Sequence, residues 1–153
     1  MKSCAALALL LILLSGPVKP QSKAAAPQLP PKEIMAITPS DQIKWNKTAT
    51  FDTAVLQGDP SKPGVYVQLL RWHAGNYSRP HFHPNARYIT VISGTWWLGY
   101  GTKYDPASTY PVKAGTFVVH NAMQPHYDGA KDEDCVIEIV GMGPETSTNA
   151  EQK

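Results

Sequence analysis

Short apolar segments separated by turn residues dominate the chain from Ile43 onward. Clusters of Gly, Pro, Asn and Asp separate these segments, and no eleven-residue window has a convincing helical period. Ser93-Gly94 lies between two strong segments and predicts a tight hairpin turn. Many short strands at this spacing predict an antiparallel sandwich or barrel. The five predicted strands, rich in β-branched and aromatic residues, are 65–72, 87–93, 95–100, 116–120 and 135–140.

The amino-terminal residues have the pattern of a secretory signal peptide. Lys2 precedes an unbroken apolar run from Ala5 to Leu14, which Ser15-Gly16-Pro17 ends. This run is about half of the roughly 20 apolar residues that cross a bilayer, so we do not expect a membrane span. We therefore expect a secreted or periplasmic protein. Its predicted parts are a signal peptide over 1–24, a proline-rich linker over 25–42, one domain over 43–144 and a disordered tail over 145–153.

Composition narrows the set of partners. The chain has 153 residues, enough for one domain with a real core. From residue 27 onward 11 lysines and arginines oppose 12 acidic residues, a net charge of −1 with neutral histidines. We therefore expect no nucleic acid partner and, after signal removal, no membrane partner. Cys135 is the only cysteine left after processing, so no internal disulfide forms, and its surroundings predict a small strand residue.

Two histidines one residue apart give the strongest chemical signal. Residues i and i+2 of a strand point the same way, so His81 and His83 project together. At that spacing two imidazoles can converge on one metal ion. Arg87 has the same parity and is expected to face the same interior, while a further histidine, His126, follows a bend after strand 116–120.

Two motifs resemble those of the cupin superfamily. The run Gly75-x5-His81-x-His83-x3-Arg87-x6-Gly94 is similar to the first cupin motif, G-x5-H-x-H-x3,4-E-x6-G. The segment from Pro111 to His126 is similar to the second, with a proline, a glycine and a histidine after a bend. Residues 43–144 as a whole resemble small exported bacterial cupins of one domain. The resemblance implies an all-β fold, a double-stranded β-helix or jelly-roll barrel of six to eight strands.

The resemblance also implies a metal site. His81, His83 and His126 would bind a divalent transition metal, with Fe, Mn, Ni and Zn all compatible. The fourth ligand of the family is a Glu, and Arg87 stands in its position. Either Arg87 turns aside and three histidines hold the metal with open positions, or Arg87 occupies the space and binds an anionic ligand.

Several further residues are candidates for the surroundings of this site. Arg87, His120, Tyr88 and Trp97 are candidate substrate contacts or supports of the ligands, although the strand-end position of His120 favours a partly exposed side chain. Alternation sends Trp96 and Trp97 to opposite faces, so at most one lines the pocket. The acidic stretch that begins at Asp128 is expected to be a solvated turn.

Function is less constrained than fold. Cupins include dioxygenases, isomerases, lyases, storage proteins and sugar-binding domains. The leading hypothesis is an exported metal-binding cupin that acts on a small organic molecule, with dioxygenase or isomerase and lyase chemistry as the options. The alternative is a non-catalytic module in which Arg87 holds an anionic ligand. The sequence assigns no catalytic residue, and the resemblance implies a homodimer formed through sheet faces.

Overall fold

The computed structural model describes residues 29–152, so the expected signal peptide and residues 25–28 of the predicted linker lie outside the described residues. Residues 29–37 belong to a unit of their own, a largely exposed coil with one turn, in which the N–H of Ile34 donates to the carbonyl of Pro31. The second unit begins at Thr38 and contains every residue discussed below. Within the described part of the chain, no helix has the length and apolar character to cross a membrane.

The second unit is built from strands. Between residues 38 and 152 they form one six-stranded and one five-stranded antiparallel sheet, and the helical segments described there are two 3-10 turns, Ser40–Gln42 and Pro106–Ser108. The strands are β1 (Asn46–Lys47), β2 (Phe51–Gln57), β3 (Gly64–Trp72), β4 (His81–Phe82), β5 (Arg87–Ser93), β6 (Thr95–Tyr100), β7 (Tyr110–Lys113), β8 (Phe117–His120), β9 (His126–Gly129), β10 (Cys135–Gly143) and β11 (Thr148–Asn149).

The two sheets face each other as in a double-stranded β-helix. The larger sheet has the order β1-β2-β3-β10-β5-β8, and the smaller has the order β11-β4-β9-β6-β7. The predicted all-β class is confirmed, and the five predicted strands correspond to β3, β5, β6, β8 and β10. The strands that the sequence did not predict include β4, β9 and β11, which have only two to four residues and are too short to show a period.

The predicted hairpin at Ser93-Gly94 is wrong. β5 pairs with β10 and β8, whereas β6 pairs with β7 and β9, so the chain passes from one sheet to the other at this corner. Gly94 has a φ of 72°, and a Cβ there would lie 2.3 Å from the carbonyl oxygen of Asp134. Glycine is therefore required by both the left-handed backbone and the close approach of another segment.

The prediction of a disordered tail over 145–153 is wrong for the described residues 145–152. Thr148 and Asn149 form β11, which pairs with β4 opposite Phe82 and His81. The N–H of Ala150 donates to the carbonyl of Pro80 at 2.9 Å, which extends the attachment. The segment is polar and lacks a strand pattern, because its order comes from backbone pairing with the edge of β4 rather than from apolar side chains.

Alternating side chains fill the space between the sheets. Along β10, Cys135, Ile137 and Ile139 are buried and their neighbours are partly exposed, as expected when every second residue faces the core. Trp96 is also fully buried. Cys135 is the small buried strand residue that the sequence predicted, and burial raises the pKa of its thiol to about 12. This thiol is therefore protonated and inert at neutral pH.

Candidate metal centre

Three histidines from two distant segments converge inside the barrel. Each of His81, His83 and His126 places a potential ligand atom within 4.8 Å of those of the other two. His81 lies in β4 directly opposite His126 in β9, and His83 follows two residues later on the same side. The ring centroids of His81 and His83 are 4.8 Å apart, and those of His81 and His126 are 4.5 Å apart. Strand pairing and alternation therefore bring these rings together, as the spacing predicted.

Backbone carbonyl groups fix the orientation of all three rings. Nδ1 of His81 donates to the carbonyl of Arg79 at 2.8 Å, and Nδ1 of His126 donates to that of Gln124 at 3.0 Å. Nδ1 of His83 donates to the carbonyl of Thr146 at 2.9 Å. Because a carbonyl can only accept, each Nδ1 carries the proton. In the neutral form of a ring held in this way, Nε2 carries the free lone pair, as in histidines that bind metals.

The free nitrogens fit a divalent transition metal. Among residues 29–152, Nε2 of His83 and Nε2 of His126 are buried and have no hydrogen-bond partner. Burial lowers the pKa of His83 to about 3, with the positive charge of Arg87 acting in the same direction, and burial also lowers the pKa of His126. Both rings are thus neutral at pH 7, which is the form that binds metal. Unpaired buried acceptors are costly, and a metal ion would satisfy them.

A cavity of about 490 Å³ lies beside the histidines. The larger sheet contributes an apolar wall from β2, β3 and β10, beside which Thr53 and Gln68 also line the cavity, and it contributes Arg87 from β5. His81 comes from the smaller sheet, and His83 and Glu145 come from the segments that follow β4 and β10. The volume falls in the usual range for small-molecule sites, roughly 300–1,000 Å³. The apolar wall consists of Phe51, Leu70, Trp72, Ile137 and Ile139.

Comparisons with solved structures agree with this architecture. The chain is similar to the polyketide cyclase RemF of Streptomyces resistomycificus, with 16% identity, a TM-score of 0.65, and 78% of this chain and 87% of that chain covered. It is also similar to a conserved double-stranded β-helix protein from Klebsiella pneumoniae, with 21% identity, a TM-score of 0.60 and 76% and 97% covered. A cupin-2 domain protein, Rru_A2000 from Rhodospirillum rubrum, matches at 12% identity, a TM-score of 0.59 and 77% and 81% coverage.

The chain has a cupin fold. No protein-family model and no curated protein matches its sequence, and the structural neighbours share about a fifth of its residues or fewer. The similarity extends to the cupin barrel, whereas the chemistry depends on the residues of this site.

Arg87 departs from the cupin motif, and Glu145 compensates for it. Arg87 is 7% exposed, and its Nη1 donates to Oε1 of Glu145 at 2.9 Å. The hydroxyl of Tyr66 donates to the other oxygen of Glu145. Burial raises the pKa of Glu145 to about 7, whereas the adjacent guanidinium favours the ionised form. The carboxylate that the first motif lacks is thus present in the site, but it comes from the carboxyl-terminal segment.

His120 lies next to the three histidines but differs from them. It is 9% exposed, which corrects the expectation of a partly exposed side chain. Its ring centroid is 4.0 Å from that of His126, and its Nδ1 accepts from Nη2 of Arg87 at 3.3 Å. Burial lowers the pKa of His120 to about 3, and His126 adds to this effect. His120 therefore packs against His126 and helps to position Arg87.

Asp128 lies beneath the site, and the expectation that it belongs to a solvated turn is wrong. Its carboxylate is 5% exposed and accepts from the indole N–H groups of Trp72 at 3.0 Å and Trp96 at 2.8 Å. The hydroxyl of Ser78 donates to its other oxygen at 3.0 Å. Burial opposes the charged form, but His120 and His126 favour the carboxylate when they carry a proton, and the pKa of Asp128 lies below its ordinary value. A negative charge is thus fixed two residues from a candidate ligand.

Tyr88 and Trp97 are not cavity residues, so their prediction as substrate contacts is wrong. Tyr88 is 50% exposed and stacks on Phe117 on the outer face of the larger sheet. Trp97 packs beneath the amino group of Lys131, which lies 3.8 Å from its ring centroid. The member of the Trp96-Trp97 pair that faces inward is Trp96. Tyr88 follows Arg87 directly, so alternation sends it away from the cavity.

Sequence reasoning missed two charged residues of the site. Asp128 is two positions after His126 in one strand, so alternation could have placed both on the same face. Glu145 offered no comparable signal, because it lies in an irregular segment after Gly143-Pro144. Its contact with Arg87, 58 residues earlier, depends on the path of the whole barrel.

Proposed function

We propose that this protein is an exported enzyme that binds one divalent transition metal ion through His81, His83 and His126 and acts on a small organic molecule. The observation that carries the proposal is the pattern of hydrogen bonds on the rings. Every Nδ1 is held by a backbone carbonyl, and the Nε2 atoms of His83 and His126 are buried without a partner in the described chain. Imidazole rings that are oriented in this way, with Nε2 open to a ligand, are typical of metal sites.

A bound ion would supply Lewis acid chemistry or, if it is iron, the activation of dioxygen. The protein contributes the remaining functions. The apolar wall of the cavity excludes water from the substrate, and Arg87 places a fixed positive charge beside the ligands. We therefore propose dioxygenase chemistry first, with isomerase or lyase chemistry as the other option. The similarity in fold to a polyketide cyclase supports a small organic substrate.

Metal affinity tests the first part of the proposal. The mature protein would be stripped of metal and titrated with Zn²⁺ or Fe²⁺ in competition with a coloured chelator. We expect one tight site in the wild type and at least a 100-fold loss of affinity in His126→Ala. His73→Ala is the matched control, because His73 pairs with Asp52 outside the cavity and should leave the affinity unchanged. Equal affinity in His126→Ala and the wild type would refute the site.

A non-catalytic module for an anionic ligand is the second candidate, and the burial of Arg87 favours it. Oxygen consumption by the iron-loaded protein, measured with a panel of small organic acids, separates the alternatives. Uptake that requires both iron and one acid supports a dioxygenase. Conversion of an acid without oxygen uptake supports an isomerase or lyase. Retention of an acid with no conversion supports the binding module.

Export is proposed from the amino-terminal pattern. The predicted signal peptide over 1–24 should be removed, so the secreted or periplasmic protein should begin near residue 25. Amino-terminal sequencing of the protein recovered outside the cytoplasm tests this. A chain that keeps Met1 and stays in the cytoplasmic fraction would contradict it.

A further inference from the structure

The lining of the cavity combines charged groups with an apolar wall, which constrains the chemistry of its ligand. Arg87 lies on β5, whereas Phe51, Leu70 and Trp72 lie on β2 and β3, and β10 separates these strands from β5 in the larger sheet. Phe51 and Trp72 contact each other edge to face, with ring centroids 5.2 Å apart. This arrangement is rigid and aromatic, so it suits a flat or compact apolar group. A ligand without such a group would leave the apolar wall of the cavity exposed to water.

Arg87 retains one nitrogen that has no hydrogen-bond partner. Nη1 and Nη2 bond to Glu145 and His120, but among the described residues Nε has no partner although it is buried. Most buried polar groups have a hydrogen-bond partner, and a buried N–H without one is a candidate contact for a water, an ion or a ligand. Because Arg87 lines the cavity, an oxygen acceptor on the ligand can complete its hydrogen bonds.

The charge of the site selects the number of negative charges on the ligand. Arg79 and Arg87 oppose Asp128, Glu145 and Glu151, since Arg79 is paired with Glu151 at the edge of the cavity. With Glu145 ionised, as its ion pair with Arg87 favours, and with the histidines neutral, these groups leave one net negative charge. A divalent ion would turn this into one net positive charge. A monoanion would then restore neutrality, whereas a neutral molecule or a dianion would not.

We propose, resting on the metal site of the proposed function, that the substrate is a small organic monoanion with an apolar body. Its carboxylate lies between Nε–H of Arg87 and the metal position, and its body packs against Phe51, Leu70 and Trp72. Arg87 is then the residue that selects the charge of the substrate. In the usual cupin motif this position is a Glu whose carboxylate binds the metal. Here Arg87 would instead bind the carboxylate of the substrate.

Three related probes test the two halves of the proposal. The zinc-loaded protein would be titrated calorimetrically with 3-phenylpropanoate, with the neutral 3-phenylpropan-1-ol and with propanoate, which lacks the ring. Hydrogen bonds to charged groups contribute about 1.5–3 kcal/mol. We therefore expect 3-phenylpropanoate to bind roughly 10- to 100-fold more tightly than the alcohol. Loss of the ring should weaken binding at least about 10-fold, since each buried CH₂ contributes about 0.8 kcal/mol.

The variant that tests the role of Arg87 is Arg87→Gln/Glu145→Gln, which removes both charges and leaves no buried ion unpaired. With zinc at saturation, it should lose the preference for the acid and bind the acid and the alcohol about equally. Arg71→Gln is the matched control, because Arg71 pairs with Asp52 outside the cavity and should keep the preference. An acid that binds no better than the alcohol, or a preference that survives in the double variant, would overturn the inference. Failure of the wild type to bind zinc would instead overturn the proposed function and this inference with it.

Discussion

Removal of one partner from the buried pair of Arg87 and Glu145 should destabilise the fold strongly, and Glu145→Gln tests this. The side chains are 8% and 17% exposed, and the pair is joined at 2.9 Å. At an effective dielectric constant of about 20, charge centres about 4 Å apart attract by roughly 4 kcal/mol. Removal of one partner of a buried pair costs about 3–5 kcal/mol, because the other charge remains buried. We expect Glu145→Gln to lose about 3 kcal/mol.

Thermal or urea unfolding of the metal-free protein is the assay. At roughly 4 °C per kcal/mol for a domain of this size, the Tm should fall by about 12 °C. The measurement belongs at pH 8, because the pKa of Glu145 is raised to about 7 and the carboxylate must be ionised. Asp59→Asn is the control, since Asp59 pairs with the exposed Lys62 and its loss should leave the Tm nearly unchanged.

A double-mutant cycle isolates the interaction between the two residues. Arg87→Gln/Glu145→Gln has no unpaired buried charge, so it should be more stable than the sum of the single variants predicts by about 2 kcal/mol. If the single effects add to within about 0.5 kcal/mol, or if Glu145→Gln unfolds at the wild-type temperature, the compensation of Arg87 by Glu145 is refuted.

Three further predictions follow from other parts of the structure. Burial lowers the pKa of His83 and His120 to about 3. Between pH 6.5 and 3 the unfolded chain therefore binds more protons than the native chain, and the metal-free protein should lose stability as the pH falls through that range. Glu145, with its raised pKa, acts in the opposite direction between pH 4.5 and 7. In urea unfolding, the free energy of unfolding of His120→Gln should therefore depend less steeply on pH near pH 5, by about 1 kcal/mol per pH unit. An unchanged slope would count against the burial of a neutral His120. Gly94→Ala should lower the free energy of unfolding in urea by about 2–4 kcal/mol, because it adds left-handed strain and places a Cβ 2.3 Å from a carbonyl oxygen. Gly101 is the control, because its φ is 85° and a Cβ there would have no described atom within 4 Å, so Gly101→Ala should cost about 1 kcal/mol. Equal losses would contradict the close approach of another segment at Gly94. Val67, Val140, Tyr88 and Val119 form a row across four strands on the outer face of the larger sheet, in which Tyr88 and Val119 are exposed. This apolar row predicts a homodimer, so light scattering should give twice the chain mass for the wild type and the chain mass for Tyr88→Lys, and a monomeric wild type would refute it.

Local sequence rules predicted the parts of this protein that depend on alternation and spacing. The alternation of side chains along a strand predicts the strands with strong β propensity, namely β3, β5, β6, β8 and β10. It also predicts the inward direction of Arg87 and the common face of His81 and His83. The convergence of His126 with that pair came from the resemblance to cupin motifs, because no local rule relates two segments about forty residues apart.

The features that the sequence did not predict depend on pairing between distant segments. The turn at Ser93-Gly94 looks like a hairpin locally, but the choice of β10 and β9 as partners sends β5 and β6 into different sheets. The carboxyl-terminal segment is polar, yet its backbone joins β4 and brings Glu145 to Arg87. Asp128 was assigned to a solvated turn because its partners, the indoles of Trp72 and Trp96, lie on other strands.

The metal content of the mature protein tests the central claim most directly. Elemental analysis after incubation with a transition metal and extensive dialysis should give one equivalent per chain for the wild type and for His73→Ala. A variant with His83 and His126 both changed to alanine should give none, because it lacks the two buried Nε2 atoms that have no partner in the described chain. A wild type without metal, or a double variant with a full equivalent, would contradict the account.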